Sequence, residues 1–324
     1  MPGFATHYIF GREIYQTLPQ SPVKRNLNRN RAAYGLGLQG PDFFFFFLPS
    51  YLLHGKNLGS VTHTTDTQKF FHALLDGRNL LHNPQDKNIA DAYLMGFLGH
   101  YTLDTICHPF VYGRTHYPGR QESDYFARHA YLETDIDIAL LENKLHRAPD
   151  TFHGENTIAL TLHQQWVLAK VLCHAYRHTY SSFYVNRIMM FIAIFSMQLG
   201  LFLLRDSSGQ KKVLLRWCEK HFLGYPIFSP LIVNSKLAFR SDPMNRQHKC
   251  WVNPWDSTKT SKESFGDLYE KAKARYLQRF KKLSDLLYCK ASESTARKKQ
   301  LLEDFFADYE NLSFHSGLDA SIPS

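Results

Sequence analysis

His100-Tyr-Thr-Leu-Asp104-Thr-Ile-Cys-His108 sets three potential metal ligands four residues apart. On a helix such residues stack on one face, so two imidazoles and a carboxylate would converge on one spot. A little further on, His129 and Glu133 repeat the spacing. Nitrogen and carboxylate-oxygen donors suit zinc with positions left for water, the catalytic rather than the structural kind of site. A bare Asp104 between two imidazoles on an apolar helix would be costly to bury, and a divalent cation would offset that cost. One such pair arises often by chance; a second pair beside a shared triad makes the metal reading the stronger one.

Outward from this stretch the signals are helical and the punctuation is Pro and Gly. The helix carrying His100 is expected from Lys87 to Cys107, closed by Pro109, and the one carrying His129 from Asp124 to Leu145. Further helices are expected at Thr6–Leu18 with Thr6 as cap, Thr65–Asp76, Thr157–Tyr180, Tyr184–Leu204, Lys211–Phe222 and Lys262–Tyr288. Tyr225 to Asp256 contains four prolines and reads as mostly loop. The apolar run Ile188 to Leu204 is nearly long enough to span a bilayer. Ser196, Gln198 and Gly200 interrupt it, and a buried core helix is the better reading. Together these elements predict an all-α fold, one multi-helix domain over residues 1–324. Gly96, one turn before His100, asks for close approach of another segment or room for a metal cluster.

The chain has 324 residues, 44% hydrophobic and 21% charged, which is a globular composition. Lys and Arg number 38 against 29 for Asp and Glu, a formal charge of +9 that favours anionic partners. Five scattered cysteines (Cys107, Cys173, Cys218, Cys250, Cys289) without a CxxC pair argue against a disulfide framework or a cysteine-rich zinc site. The opening Met-Pro-Gly-Phe-Ala-Thr-His lacks the pattern of a signal peptide. The expected location is cytoplasmic or at the membrane periphery. His54, His72, His82, His116, His146 and His315 have nothing beside them in sequence that marks a site.

The series Ala5-Thr-His7, Gly40-Pro-Asp42, His63 near Thr67-x-x-Phe70-Phe71, Gly99-His100-Tyr-x-x-Asp104-x-x-x-His108-Pro109 and His129-x-x-x-Glu133-x-x-Ile136-Asp137 resembles bacterial zinc-dependent phospholipase C. Order and spacing agree over about residues 5–140; residues 150–324 carry no matching motif. The resemblance implies an all-helical fold shared with single-strand-specific zinc nucleases, and a three-zinc site. Position by position, it gives Asp42, His63, His100 and Asp104 to one ion and His108, His129 and Glu133 to a second. His7 and a bridging Asp104 fall to a third. In secreted members the third ion also uses an N-terminal Trp, and here His7 follows six residues with no Trp, so two or three zinc ions are expected. The resemblance also makes Asp42 the candidate general base or water-orienting group, with Asp135 and Asp137 as hydrogen-bond partners of ligating imidazoles or as solvated positions.

The function expected is hydrolysis of a phosphodiester by metal-activated water, most simply cleavage of a phospholipid headgroup. The partner is then a phospholipid or membrane surface, and no protein partner is expected. Two alternatives stand beside it. One is a single-strand-specific zinc nuclease, which would need aromatic platforms for bases, with Tyr101, Tyr112, Tyr117 and Trp251 available. The other is a non-catalytic, membrane-associated metal-binding protein. Phe43 to Phe47 read as core packing, or else as a lipid-facing wall. The basic side of the last predicted helix (Lys271, Lys273, Arg275, Arg279, Lys281, Lys282) reads as a solvated face, or else as one lying on anionic lipid.

Overall fold

A computed structural model describes residues 3–119, 124–234, 242–290 and 292–321. Its helices are α1 (Phe4–Thr17), α2 (Pro22–Arg29), α3 (Arg31–Leu38), α4 (Pro49–His54), α5 (Leu58–Thr64), α6 (Thr67–Asn79), α7 (Pro84–Arg114), α8 (Tyr125–Leu145), α9 (Leu162–Thr179), α10 (Arg187–Leu203), α11 (Gln210–Phe222), α12 (Phe265–Leu287) and α13 (Thr295–Tyr309). Short 3-10 turns join several of them. The one described sheet is the antiparallel hairpin β1 (Trp251–Asn253) and β2 (Asp256–Ser261). The fold is all-α, as the periodicity predicts. Sequence pattern misses the hairpin, α13 and the short helices α2 to α5, the last four lying in a stretch whose Pro, Gly and basic residues read as turns.

The central element is α7. It packs against α3, α12, α9, α1, α6 and α8, and its buried positions run from Ile89 to Tyr112 on every side. The core is continuous from Ala5 to Phe314, so the C-terminal helices share it with the motif-bearing half. Gly96 is explained by close approach: a Cβ there would collide with the Tyr34 carbonyl oxygen, and one on Gly37 with that of Tyr93. The two glycines let α3 lie backbone to backbone on α7.

Pro109 does not end this helix, contrary to expectation. The helix runs through it to Arg114. A proline there forfeits the hydrogen bond to the Thr105 carbonyl and crowds that oxygen. The C-terminal chain meets the disturbed turn with Gly317, at φ +63°, where a Cβ would collide with the same Thr105 oxygen. Tertiary packing thus accommodates a break that local sequence predicts.

Two other expectations are corrected. Thr6 is not the cap of α1; it lies inside the helix, and its backbone N and Oγ1 both donate to Asp137 Oδ1, at 2.7 and 2.6 Å. The apolar run after Asn186 is not a core helix. Met189, Met190, Ala193, Ile194 and Met197 are buried, but the opposite side of α10 is open to solvent. A helix apolar all round can be buried all round only with neighbours on every side, and α10 has α9 and the turn Asp42–Phe46 on one side. No helix of the described residues is long and apolar enough to cross a membrane.

The basic residues of α12 are ion-paired. Arg279 is buried against Glu310 and over the Tyr101 ring, Arg275 reaches Asp308 and Glu310, Lys273 reaches Glu13, and Lys271 reaches Glu263. Lys281 and Lys282 pair with Asp285 and Asp308. Arg279 is thus buried in its ion pair, while Lys271, Lys281 and Lys282 form theirs at the solvated surface. All five cysteines are free.

Candidate metal centre

Five elements bring the eight sequence-selected residues together. His7 comes from α1, Asp42 from the 3-10 turn Asp42–Phe46 after α3, and His63 from α5. His100, Asp104 and His108 come from three successive turns of α7, and His129 and Glu133 from α8. Three groups have ligand atoms within 4.8 Å of one another: His7, Asp42 and His100; His63, His100 and Asp104; His108, His129 and Glu133. The last group is the one the resemblance implies. The first two divide the remaining residues differently: His7 lies with Asp42 and His100 as well as with Asp104, while Asp104 stands between His7, His63, His100 and His108.

Local chain geometry supplies the placement. Gly40, at φ +52°, turns the chain from α3 under the His100 ring, where a Cβ would strike the imidazole. That turn delivers Asp42 into the interior. Asp137 of α8 accepts from the backbone N–H groups of Ala5 and Thr6, at 3.0 and 2.7 Å. These are unpaired donors of the first turn of α1, so a carboxylate from another helix caps α1 and fixes His7 next to it. Asp137 therefore bonds backbone, not an imidazole. Asp135 is buried in the field of Lys212.

Three imidazoles share one tautomer pattern. Nδ1 of His63 is 2.7 Å from the Gly59 carbonyl, that of His100 is 3.2 Å from the Leu38 carbonyl, and that of His108 is 2.9 Å from the Phe314 carbonyl. A carbonyl only accepts, so each Nδ1 donates and each Nε2 carries a lone pair inward. Those lone pairs face carboxylate oxygens: His63 Nε2 to Asp42 at 3.2 Å, His100 Nε2 to Asp104 at 3.3 Å, His108 Nε2 to Glu133 at 3.4 Å. The Nε2 atoms of His63, His100 and His108, both ring nitrogens of His7, and both oxygens of Asp42 and Asp104 are buried without a hydrogen-bond partner. Acceptors turned toward acceptors in a dry interior repel unless a cation lies between them. Donors about 2.1 Å from a tetrahedral zinc stand about 3.4 Å apart, so the separations fit a shared divalent ion.

Burial sets the protonation. It lowers His7, His100 and His129 well below the ordinary imidazole value and brings His63 to about 4, so these rings are neutral near pH 7 and free to bind metal. Burial raises Glu133 to about 8, and it raises Asp42, with the Asp104 charge adding to the effect. Glu133 would give up a proton to receive a cation.

The third group is the more open one. His129 and Glu133 are each 9% exposed, whereas His7, Asp42, His63, His100, Asp104 and His108 are fully buried. An aromatic wall stands beside it. Tyr112 lies 4.6 Å from the His129 ring and 4.7 Å from Trp255, and Trp255 lies 5.1 Å from Tyr117. The β1–β2 hairpin is what aims Trp255 at the site. Tyr101 and Trp251 are elsewhere: Tyr101 stacks on Tyr309 and Trp251 packs on Phe110.

His315 is the residue that sequence reasoning misses. It is half-buried, with its ring 5.4 Å from His63, 5.7 Å from His108 and 5.2 Å from Tyr112. A lone histidine in an irregular tail has no neighbour at helical spacing to mark it. His72, His82, His116 and His146 are exposed, and the side chain of His54 lies outside the described residues. Of the phenylalanine run, Phe43, Phe44 and Phe47 are core, while Phe45 is half-buried 5.7 Å from the His63 ring.

An all-helical protein with inward-facing imidazoles and carboxylates placed to hold metal belongs to a recognisable class of helical metalloprotein. The family described as zinc dependent phospholipase C matches residues 6–183, more than half of the chain, and the protein belongs to that family. No curated protein and no solved structure shows a significant match.

Proposed function

We propose that this protein is a zinc-dependent phosphodiester hydrolase acting on phospholipid. The observation that carries the reading is the set of buried imidazole lone pairs facing buried carboxylates, an arrangement that makes sense around divalent cations. His7, Asp42, His63, His100, Asp104, His108, His129 and Glu133 would hold two or three zinc ions. Bound there, zinc supplies Lewis acidity to phosphate oxygens and lowers the pKa of a water toward neutrality. The chain's own groups do the rest. Asp42 accepts the proton of the attacking water or orients it. The outward hydrogen bonds of His63, His100 and His108 keep their rings from swinging away. The wall of Tyr112, Tyr117 and Trp255 borders the open side, where a headgroup or leaving group would lie.

The same wall is what a stacked base would need, so nuclease activity is the reading to test beside this one. The zinc-loaded protein, with and without chelator, is given phosphatidylcholine micelles, single-stranded DNA and a chromogenic phosphodiester. Chelator-sensitive release of a phosphorylated headgroup is expected. DNA cleavage without lipid cleavage would replace the substrate assignment. Undiminished turnover of the chromogenic ester by Asp42→Asn or His100→Ala would remove the site assignment itself.

A further inference from the structure

We propose that the outward side of α10 is the face on which this protein settles on an anionic lipid surface; the idea rests on the phospholipid reading of the site.

α10 is apolar on both sides. Its inward side is fixed: Met190, Ala193 and Ile194 are buried, and Gly200 takes the ring of Phe46, where a Cβ would collide. Its outward side carries Ile188, Ile192, Phe195, Leu199 and Phe202, spaced four, three, four and three residues apart. These line up along one face over about 20 Å of helix. Ile188 is 63% exposed, Phe195 50% and Phe202 53%. Trp166 of α9 is exposed beside them with its ring 4.6 Å from Phe191, and Tyr184 is exposed just before the helix begins. Trp and Tyr at the edge of an apolar face suit the boundary between headgroups and acyl chains.

Charge identifies the occupant. Residues 156–234 contain eight Lys and Arg but only two acidic residues, Asp206 and Glu219. Both acids are buried. Asp206 accepts from the Lys212 backbone, and Glu219 accepts from the Ser229 hydroxyl and the Phe228 backbone. Arg205 pairs with Glu155 and Lys212 is buried, but Arg187, Lys211 and Lys220 are exposed. The segment that contains α10 therefore presents cations and no exposed carboxylate of its own, which complements anionic headgroups. α10 is too short to cross a bilayer and strongly two-sided in its contacts, the geometry of a helix lying in the interface plane.

The face is also tied to the metal centre. α10 packs on the turn Asp42–Phe46, whose first residue is a candidate ligand, and Leu48, just beyond that turn, is exposed. Docking through α10 would bring the bilayer to the same side of the molecule as the segment carrying Asp42.

The test uses the full-length zinc-loaded protein and sedimentation with sucrose-loaded vesicles of phosphatidylcholine alone or mixed with phosphatidylglycerol. Wild type is expected to bind the mixed vesicles about tenfold or more tightly than the neutral ones, with the advantage falling as salt rises. Trp fluorescence should shift to the blue on binding. The double variant F195D/L199D alters exposed positions and should keep the wild-type circular dichroism. It is expected to lose vesicle binding about tenfold or more while hydrolysing a monomeric short-chain lecithin as wild type does. Salt-insensitive or absent binding by wild type, or unchanged binding by the variant, overturns the proposal. So does a dimer in sedimentation equilibrium that the variant abolishes, since the face would then be covered by a second copy. Intact vesicle binding with no hydrolysis of any lipid would overturn the phospholipase reading and leave the docking face standing.

Discussion

Nδ1 of His108 donates to the carbonyl of Phe314, 2.9 Å away and 206 residues later in the chain. The same segment donates from the Phe314 N–H to the His63 carbonyl at 2.8 Å. A C-terminal strap without any ligand motif thus orients the His108 imidazole and pins the His63 backbone, and it lays His315 between the two rings. Its seat against α7 depends on Gly317. Gly317→Ala places a methyl group against the Thr105 carbonyl oxygen at a positive φ. We expect about 1–3 kcal/mol of lost stability in chemical denaturation, and zinc affinity lowered about 10–100-fold in competition with a chromogenic chelator.

Asp104 faces four imidazoles, with His7 at 3.2 Å, His100 at 3.3 Å and His63 and His108 at 3.6 Å. Asp104→Asn keeps the shape and removes the charge. The expected result is loss of at least one zinc per chain by elemental analysis, with activity on a phosphodiester down by about 100-fold or more. Full zinc content in this variant would count against a shared role for Asp104.

Asp137 holds α1 through Ala5 and Thr6, the two residues before His7. Asp137→Ala strands the first-turn N–H groups of α1 in a buried setting, and Asp137→Asn restores part of the acceptor. We expect a cost of about 1–3 kcal/mol for the alanine variant, less for asparagine. His7 moves with α1, so zinc stoichiometry should fall before the fold is lost; titration followed by circular dichroism separates the two.

Glu133 has its carboxyl raised to about 8 by burial in the absence of metal, while His129 and His63 are neutral near pH 7. Below pH 8 the carboxyl must release its proton for a cation to bind. Apparent zinc affinity should therefore rise with pH up to about 8 and flatten above it. Calorimetry in buffers of different ionisation enthalpy should show proton release on binding near pH 7, smaller in Glu133→Gln. His7, His63, His100 and His129 add none, since burial keeps them neutral near pH 7.

Removing the metal leaves buried acceptors facing each other. Chelated protein should unfold at a temperature several degrees lower, with the loss reversed by zinc and the far-ultraviolet helix signal retained at room temperature. An unchanged melting temperature would mean that the cluster does not bind metal in the folded state.

The candidate site was legible where its residues obey a helical period. His100, Asp104 and His108, and then His129 and Glu133, announce a shared face because an i, i+4 spacing carries its meaning locally. His7, Asp42 and His63 were legible only through the order and spacing of a family, since each stands alone in its own segment. His315 and Phe314 were illegible by either route. One acts through a ring brought in by an irregular tail and the other through a backbone carbonyl, which every residue possesses.

The sequence by itself determined the longer helices up to α12, the ligand faces on α7 and α8 and the all-α class, because propensity and periodicity act over a few residues. Tertiary structure alone decided the rest. It carried α7 through Pro109, stripped Thr6 of its capping role and gave that role to Asp137. It left α10 with an open apolar side and gave the basic residues of α12 their acidic partners. Each of these depends on which distant group arrives to satisfy a carbonyl, an N–H, an apolar face or a charge, and such partners are chosen only when the whole chain packs.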